Sequence, residues 1–205
     1  MARRSDHSKD ELKELILTSA REIVKKEGYR ELSARKVASK IGYTVGTLYN
    51  FFNNLDDLIL HINARTLDML YEKLESEISG CRNTKNIEDA VYKIGNSYID
   101  FSYKYFHLWS MLFEHHFPRA HGHKLPKWFQ NKIDKLFLLV EEAFLPTLKN
   151  NRKAASRTAK VFWASLHGIC ILSMTGKLDT IGAESAHTLV DSLIKIFISG
   201  IKRTS

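Results

Sequence analysis

Apolar residues in this chain recur three and four positions apart, and that spacing suits one kind of backbone. From Leu12 the series runs through Leu15, Ile16, Ala20, Ile23 and Val24. Those positions line one face of an α-helix, whereas in a strand they would scatter over both faces. No stretch alternates convincingly with period two, and no internal repeat or low-complexity segment interrupts the pattern. Only three prolines fall in 205 residues, so long helices have room. The expectation is an all-α fold of about nine helices.

Boundary signals divide the pattern. Ser8 and Glu11 read as a capping box, and Gly28 as the stop of the helix it opens. Ser33 caps a short second helix to about Lys40, with Val37, Ala38 and Ile41 facing inward. Asn54 caps a longer one to about Ser79, with Asp56 and Asp57 complementing the dipole of its first turn. Helical periodicity resumes from about Ile87 to Phe117, followed by the loop PRAHGHKLP. Pro126 suits the start of the next helix, and Pro146 ends it. From Ala154 to Met174 the pattern is apolar almost all round, as in a helix that is buried or meets a partner. After a turn at LDTIG, the last helix carries Leu189, Val190, Leu193, Ile194, Phe197 and Ile201 in one stripe, with Ile196 and Ile198 suggesting a second buried face.

Composition narrows the class. The formal charge of +8 and pI near 9.4 favour a polyanionic partner. Cys81 and Cys170 are far apart and make no secreted disulfide framework, and the N-terminus MARRSDHSKDE has no apolar segment of a signal peptide. No apolar run approaches the roughly 18 residues needed to span a bilayer, so a cytoplasmic protein is expected. There is no P-loop, no G-x-G-x-x-G after a strand and no nucleophile elbow, so an enzyme is not expected.

The segment SKIGYTVGTLYNFF, residues 39–52, places two glycines inside otherwise helical sequence. Each costs a helix about 1 kcal/mol relative to alanine. Two short helices around a glycine corner form a helix-turn-helix. Ala38 is small where the helices cross, Gly42 takes the corner, Thr44 caps the second helix, and Leu48 and Phe51 return to the core. That leaves Val45, Gly46, Thr47 and Asn50 outward, a short-chained surface able to enter a major groove. Residues 1–50 hold eleven Lys and Arg against seven Asp and Glu, a net of +4. Tyr49, Lys36 and the Ser33 hydroxyl are placed to contact phosphate, and the MARR arm to enter a minor groove or stay a solvated tail.

The run from Ser8 to Leu60 resembles the N-terminal domain of TetR-family transcriptional regulators. The resemblance is carried by Ala20, Gly28, Asp57-Leu58 and the segment Gly42-Tyr43-Thr44-Val45-Gly46-Thr47-Leu48-Tyr49-Asn50-Phe51-Phe52. It implies that Thr44, Val45, Gly46 and Thr47 approach bases and that Tyr49 contacts phosphate. Two positions depart from the family: Phe51 stands where histidine is frequent and Leu55 where lysine is usual, so neither carries a contact over. By the same resemblance, residues 1–54 form a DNA-binding domain and 55–205 an effector-binding and dimerisation domain, without a cofactor. The segment Phe162-Trp163-Ala-Ser-Leu-His167-Gly168 resembles the WHG-type variant of that second domain. The expected molecule is a homodimeric repressor that leaves a palindromic double-stranded operator when a small apolar or aromatic effector binds.

Independently of that resemblance, residues 92–129 are rich in aromatic side chains, suited to an apolar or aromatic ligand. Phe101, Tyr105, Trp109, Phe113, Trp163 and His167 are the expected pocket residues. Two alternatives remain. His107, His115, His116, His121 and His123 beside Glu114 would serve a metal-responsive regulator, although His115 and His116 point apart on a helix. A helical protein-binding adaptor would need the N-terminal domain to ignore DNA.

Overall fold

The computed structural model describes residues 7–79, 87–115 and 125–204, and among these it is helical with no strand. Ten α-helices occur among the described residues, one more than the periodicity predicts, because the expected turn at LDTIG contains a single helical turn, Lys177–Thr180.

Local chemistry accounts for the first boundaries. Helix α1, Lys9–Glu27, opens on the expected capping box: Glu11 N–H donates to Ser8 Oγ at 3.3 Å and Ser8 N–H to Glu11 Oε2 at 2.7 Å. Ser33 caps α2, Ala34–Ile41, by accepting from Lys36 N–H at 3.2 Å. Gly42 then turns the chain at φ 73°, ψ 28°, a left-handed conformation in which a side chain is strained. Thr44 caps α3, Val45–Tyr49, through Thr47 N–H at 3.3 Å. Asn54 accepts from Asp57 N–H at 2.8 Å at the head of α4, Leu55–Ile78.

The later helices are α5, Ile87–Lys104; α6, Phe106–Glu114; α7, Lys127–Phe144; α8, Arg152–Met174; α9, Lys177–Thr180; and α10, Ala186–Thr204. The helical periodicity expected from Ile87 to Phe117 is carried by α5 and α6. Tyr105, at φ −120° and ψ 37°, leaves the helical region and separates α5 from α6. Phe117 and the loop PRAHGHK lie outside the described residues, as do Cys81, the MARR arm, His116, His121 and His123.

The Tyr105 break coincides with a division of the chain into two compact units. One holds the chain to Thr66 together with Tyr105–Pro126; the other holds Leu67–Lys104 and the chain from Lys127. These units follow packing and do not coincide with the 1–54 and 55–205 division.

In the first unit, α1 buries Ile16, Leu17, Ala20, Ile23 and Val24 against Val37, Ala38 and Leu48 of the helix-turn-helix. Phe52 rather than Phe51 is the fully buried ring after α3; Phe51 is half-buried at the edge of the same core. Leu108 and Met111 of α6, both wholly buried, complete it.

In the second unit, α5 and α10 approach closely. A Cβ on Gly95 would lie 2.9 Å from Ile194 Cδ1 and 3.1 Å from Val190 Cγ1, so a side chain there would push both residues of α10 aside. Ile198 and Ile201 join Val190 and Ile194 inside, while Ile196 is 69% exposed. Of the two residues expected to make a second buried face on that helix, Ile198 is buried and Ile196 is not. On α8, Phe162, Leu166 and Cys170 are buried, whereas Val161, Ile171 and Leu172 are exposed. Burial pushes the Cys170 thiol up to about 11, which keeps it protonated and chemically quiet. No helix among the described residues is long and apolar enough to cross a membrane.

Candidate DNA-reading surface and interior cavity

Helix α3 presents an open face. Thr44, Gly46, Tyr49 and Asn50 are exposed, Tyr49 to 48%. Thr47 is half-buried, and its hydroxyl lies 3.0 Å from that of Thr44, so the two side chains hold each other across the first turn. Val45 turns further inward than expected and packs on the head core, leaving only part of its surface outward.

Gly46 is the informative position. Its φ is not in the left-handed range, and a Cβ built there meets only Thr44 Oγ1, at 3.8 Å. Among the described residues nothing demands glycine at Gly46, unlike the left-handed Gly42.

The flanking cations sort differently from the sequence expectation. Lys36 Nζ sits 2.6 Å from Glu27 Oε2 and 3.6 Å from Glu31 Oε2, and the hydrogen bond to Glu27 raises its pKa. A phosphate would have to compete with two carboxylates for it. Lys40 is likewise paired with Glu22 at 3.1 Å. Arg35, the residue before Lys36, is exposed, and no carboxylate among the described residues forms an ion pair with it. It lies in the first turn of α2 beside Ser33, whose oxygen caps the helix while its proton remains able to donate.

Arg35 is not among the contacts expected from the sequence, which could not show that Glu27 of α1 and Glu31 of the short 3-10 helix Tyr29–Glu31 engage Lys36. If Arg35 meets phosphate, Arg35→Ala lowers the slope of log affinity against log salt by about one, and Lys36→Ala leaves it nearly unchanged. A salt titration of DNA binding on both variants reads this directly. His7, just ahead of α1, reaches this surface, with its Nδ1 3.0 Å from the Tyr43 hydroxyl.

The residues expected to form one effector pocket are drawn from both units. Tyr105, Trp109 and Phe113 belong to the first unit, where Trp109 is fully buried and meets Phe113 edge-on at 5.2 Å. Phe101, Trp163 and His167 belong to the second unit, with Phe101 buried on α5. Trp163 stacks on His167 with centroids 5.5 Å apart, and His167 Nδ1 is 3.2 Å from the Tyr98 hydroxyl.

A cavity of about 30 Å³ lies inside the second unit. Helix α4 contributes Leu70 and Leu74 to its wall, and α5 contributes Ile94 and Tyr98. Leu136, Phe137 and Val140 face it from α7, and Phe162, Trp163 and Leu166 from α8. Of the six expected pocket residues only Trp163 lines this cavity; plain aliphatic residues without a sequence signature supply most of the rest.

Of the histidines considered for metal, two are described. His115 Nε2 is 2.8 Å from Asp56 Oδ1, and a Cβ at Gly28 would lie 3.4 Å from His107 Nδ1. Among the described residues no group of three His, Cys, Asp or Glu side chains converges.

Two short helices around a left-handed glycine, set on a helical core, define a helix-turn-helix protein. Residues 16–62 match the family described as bacterial regulatory proteins of the tetR family, and residues 91–197 match the tetracyclin repressor-like C-terminal domain. The second match alone exceeds half of the chain. This chain belongs to the TetR family of transcriptional regulators and is a DNA-binding regulator, not an enzyme.

It is 23% identical over 201 residues to an HTH-type transcriptional regulator of Mycobacterium tuberculosis, covering 94% of this chain and 83% of the relative. A Rhodococcus sp. RHA1 protein of unknown function superposes with a TM-score of 0.73 at 18% identity, over 97% of this chain and 98% of that one. The Bacillus subtilis regulator FadR in complex with stearoyl-CoA superposes at 0.61 and 13% identity, over 91% and 98%. At these identities the two structures share the fold.

Proposed function

We propose that this regulator is a homodimeric repressor whose α3 helices read a palindromic operator and whose operator is released when a small apolar or aromatic molecule occupies the interior cavity. Gly46 carries the DNA-reading part: a helix position with no internal need for glycine, on an exposed face, suits close approach to a base pair. Val45 and Gly46 lack bidentate hydrogen-bonding groups, so methyl contacts and DNA shape supply much of the specificity. Tyr49, Asn50, Ser33 and Arg35 fix the register on phosphates, with Thr44 and Thr47 at the base edges.

The exposed apolar residues of α8 and α10 support the dimer. Val161 and Leu172 on α8 and Ile196 on α10 sit on faces where Gly168 and Gly200 leave open space, allowing close approach of a second copy. Two helices from each subunit would then form a four-helix bundle, and two-fold symmetry would set the α3 helices about 34–36 Å apart. Leu172→Glu combined with Ile196→Glu yields a monomer by light scattering, with operator affinity reduced at least ~100-fold as the second half-site is lost. A dimer that survives both charges refutes this interface.

Helix α4 gives effector control a physical path, because residues 55–66 belong to the first unit and 67–78 to the second within one continuous helix. A coupling of about 1–3 kcal/mol through it changes operator affinity roughly 5- to 150-fold. The stearoyl-CoA of the B. subtilis FadR complex carries phosphates, for which this cavity wall offers no cation among the described residues. Gel shifts with and without cavity-binding ligands test the reading. Operator affinity indifferent to every ligand that demonstrably fills the cavity would sink it.

A further inference from the structure

Positive charge in this chain gathers in two stretches. Residues 1–50 carry +4 of the formal +8 and residues 149–160 carry +5, while the remainder sums to −1. The second stretch holds Lys149, Arg152, Lys153, Arg157 and Lys160, and no Asp or Glu occurs from 143 to 178. All five cations are exposed, and none pairs with a carboxylate among the described residues. Lys36, Lys40 and Arg65, by contrast, are each held by a glutamate.

Helix α8 sets three of these cations in line. Lys153, Arg157 and Lys160 stand at i, i+4 and i+7 on one side of the helix, spanning about 10 Å along its axis. Ala155, Ala159 and Phe162 are buried on the opposite side. Asn151 caps the helix by accepting from Ala154 N–H at 3.1 Å, so Arg152 and Lys153 fall in a first turn that holds no acidic residue. Cations there oppose the positive end of the helix dipole. The folded chain gains nothing from that placement, whereas an external anion does.

We propose that this stripe is a second, sequence-independent contact for double-stranded DNA, in which Lys153, Arg157 and Lys160 meet successive phosphates of one strand and Lys149 and Arg152 flank them. Phosphates of one strand rise about 3.4 Å each along the duplex, so a line of cations about 10 Å long reaches roughly three of them. Between residues 149 and 160 no apolar side chain is larger than alanine. A helix that lies in a membrane surface inserts bulky apolar residues, and a protein partner is gripped by buried aromatic or aliphatic anchors. A surface of charge alone suits the phosphate backbone, where counterion release supplies the affinity. The stripe ends before Val161, where the apolar face assigned to the dimer begins.

The test is fluorescence anisotropy of the full-length protein with a labelled random-sequence duplex of about 24 base pairs, over about 50 to 200 mM salt. Lys153→Gln, Arg157→Gln and Lys160→Gln together should weaken binding at least ~10-fold at the lower salt and reduce the slope of log affinity against log salt by about 2–3. A control with Lys177→Gln, Lys195→Gln and Arg203→Gln removes the same charge from exposed positions on α9 and α10, and should change the slope by less than about one. Thermal melts of both variants should match the wild type, because no buried contact is removed. The same difference between the two variants is expected in a Gly46→Glu background, so the outcome does not depend on operator reading by α3.

Equal losses in the two variants would assign the effect to net charge and overturn the proposal. A stripe variant that binds the duplex like the wild type would do the same. Phosphatidylglycerol vesicles bound more tightly than the duplex, and released by the stripe substitutions, would make the partner a membrane surface and refute the assignment to DNA.

Discussion

Gly46→Glu is expected to reduce operator affinity by at least ~100-fold while leaving thermal unfolding of the protein essentially unchanged. The packing at this position permits the separation. A Cβ at Gly46 makes one ordinary contact, with Thr44 Oγ1 at 3.8 Å, so no core atom has to move. A carboxylate in the first turn of α3 also complements the helix dipole, so the head tolerates it. The same carboxylate on the face that meets DNA brings bulk between backbone and base edge, and a negative charge among phosphates.

Gly46→Ala sharpens the contrast. Alanine should stabilise the short helix by about 0.5–1 kcal/mol, yet still weaken DNA binding because its methyl holds the backbone away from the groove. Fluorescence anisotropy paired with thermal melts reads both quantities. A melting point that falls in step with affinity would make Gly46 a structural glycine and remove the main support for its role.

The second large effect comes from a helix distant in sequence from the DNA-reading segment. Leu108→Ala with Met111→Ala is expected to destabilise the first unit by about 2–5 kcal/mol per site, and to abolish operator binding with it. Both side chains are fully buried among Ile16, Leu17 and Ile62 in the head core, although they lie in α6. The same helix is held at its end by His115, 2.8 Å from Asp56 at the start of α4. The Tyr29 hydroxyl also donates to the Glu114 carbonyl at 3.4 Å.

It follows that a fragment ending at Thr66 exposes the surface that Leu108 and Met111 cover, and should lack a cooperative unfolding transition. Hydrogen exchange at the α1 amides reports the same loss in the full-length double variant. If the fragment melts cooperatively and binds the operator as the full chain does, α6 is dispensable to the head.

These two effects mark what the residues made legible. Caps and corners are local, so Ser8 with Glu11, Ser33, Thr44, Asn54 and the left-handed Gly42 could be read from neighbours a few positions away. The break at Tyr105 is not local: tyrosine has no strong aversion to helix, and only packing separates α5 from α6. Lys36 and Arg35 are adjacent cations that sequence alone cannot rank. Glu27 and Glu31, brought close by the fold, decide which one is occupied.

The cavity was hardest to read for a similar reason. Aromatic density between residues 92 and 129 is nearness along the chain, and the fold divides those residues between two units. Leu70, Leu74, Leu136 and Val140 look like any core residues until four helices bring them together.

The central claim, operator reading by the α2–α3 surface of a symmetric dimer, is met most directly by selecting bound duplexes from random DNA and footprinting the winner. The account predicts an enriched, two-fold symmetric sequence with two protected half-sites about one helical turn or a multiple apart. Binding should weaken steeply with salt, and the enrichment should disappear in Gly46→Glu. Enrichment of no sequence, or of the same sequence by the Gly46→Glu protein, would contradict it.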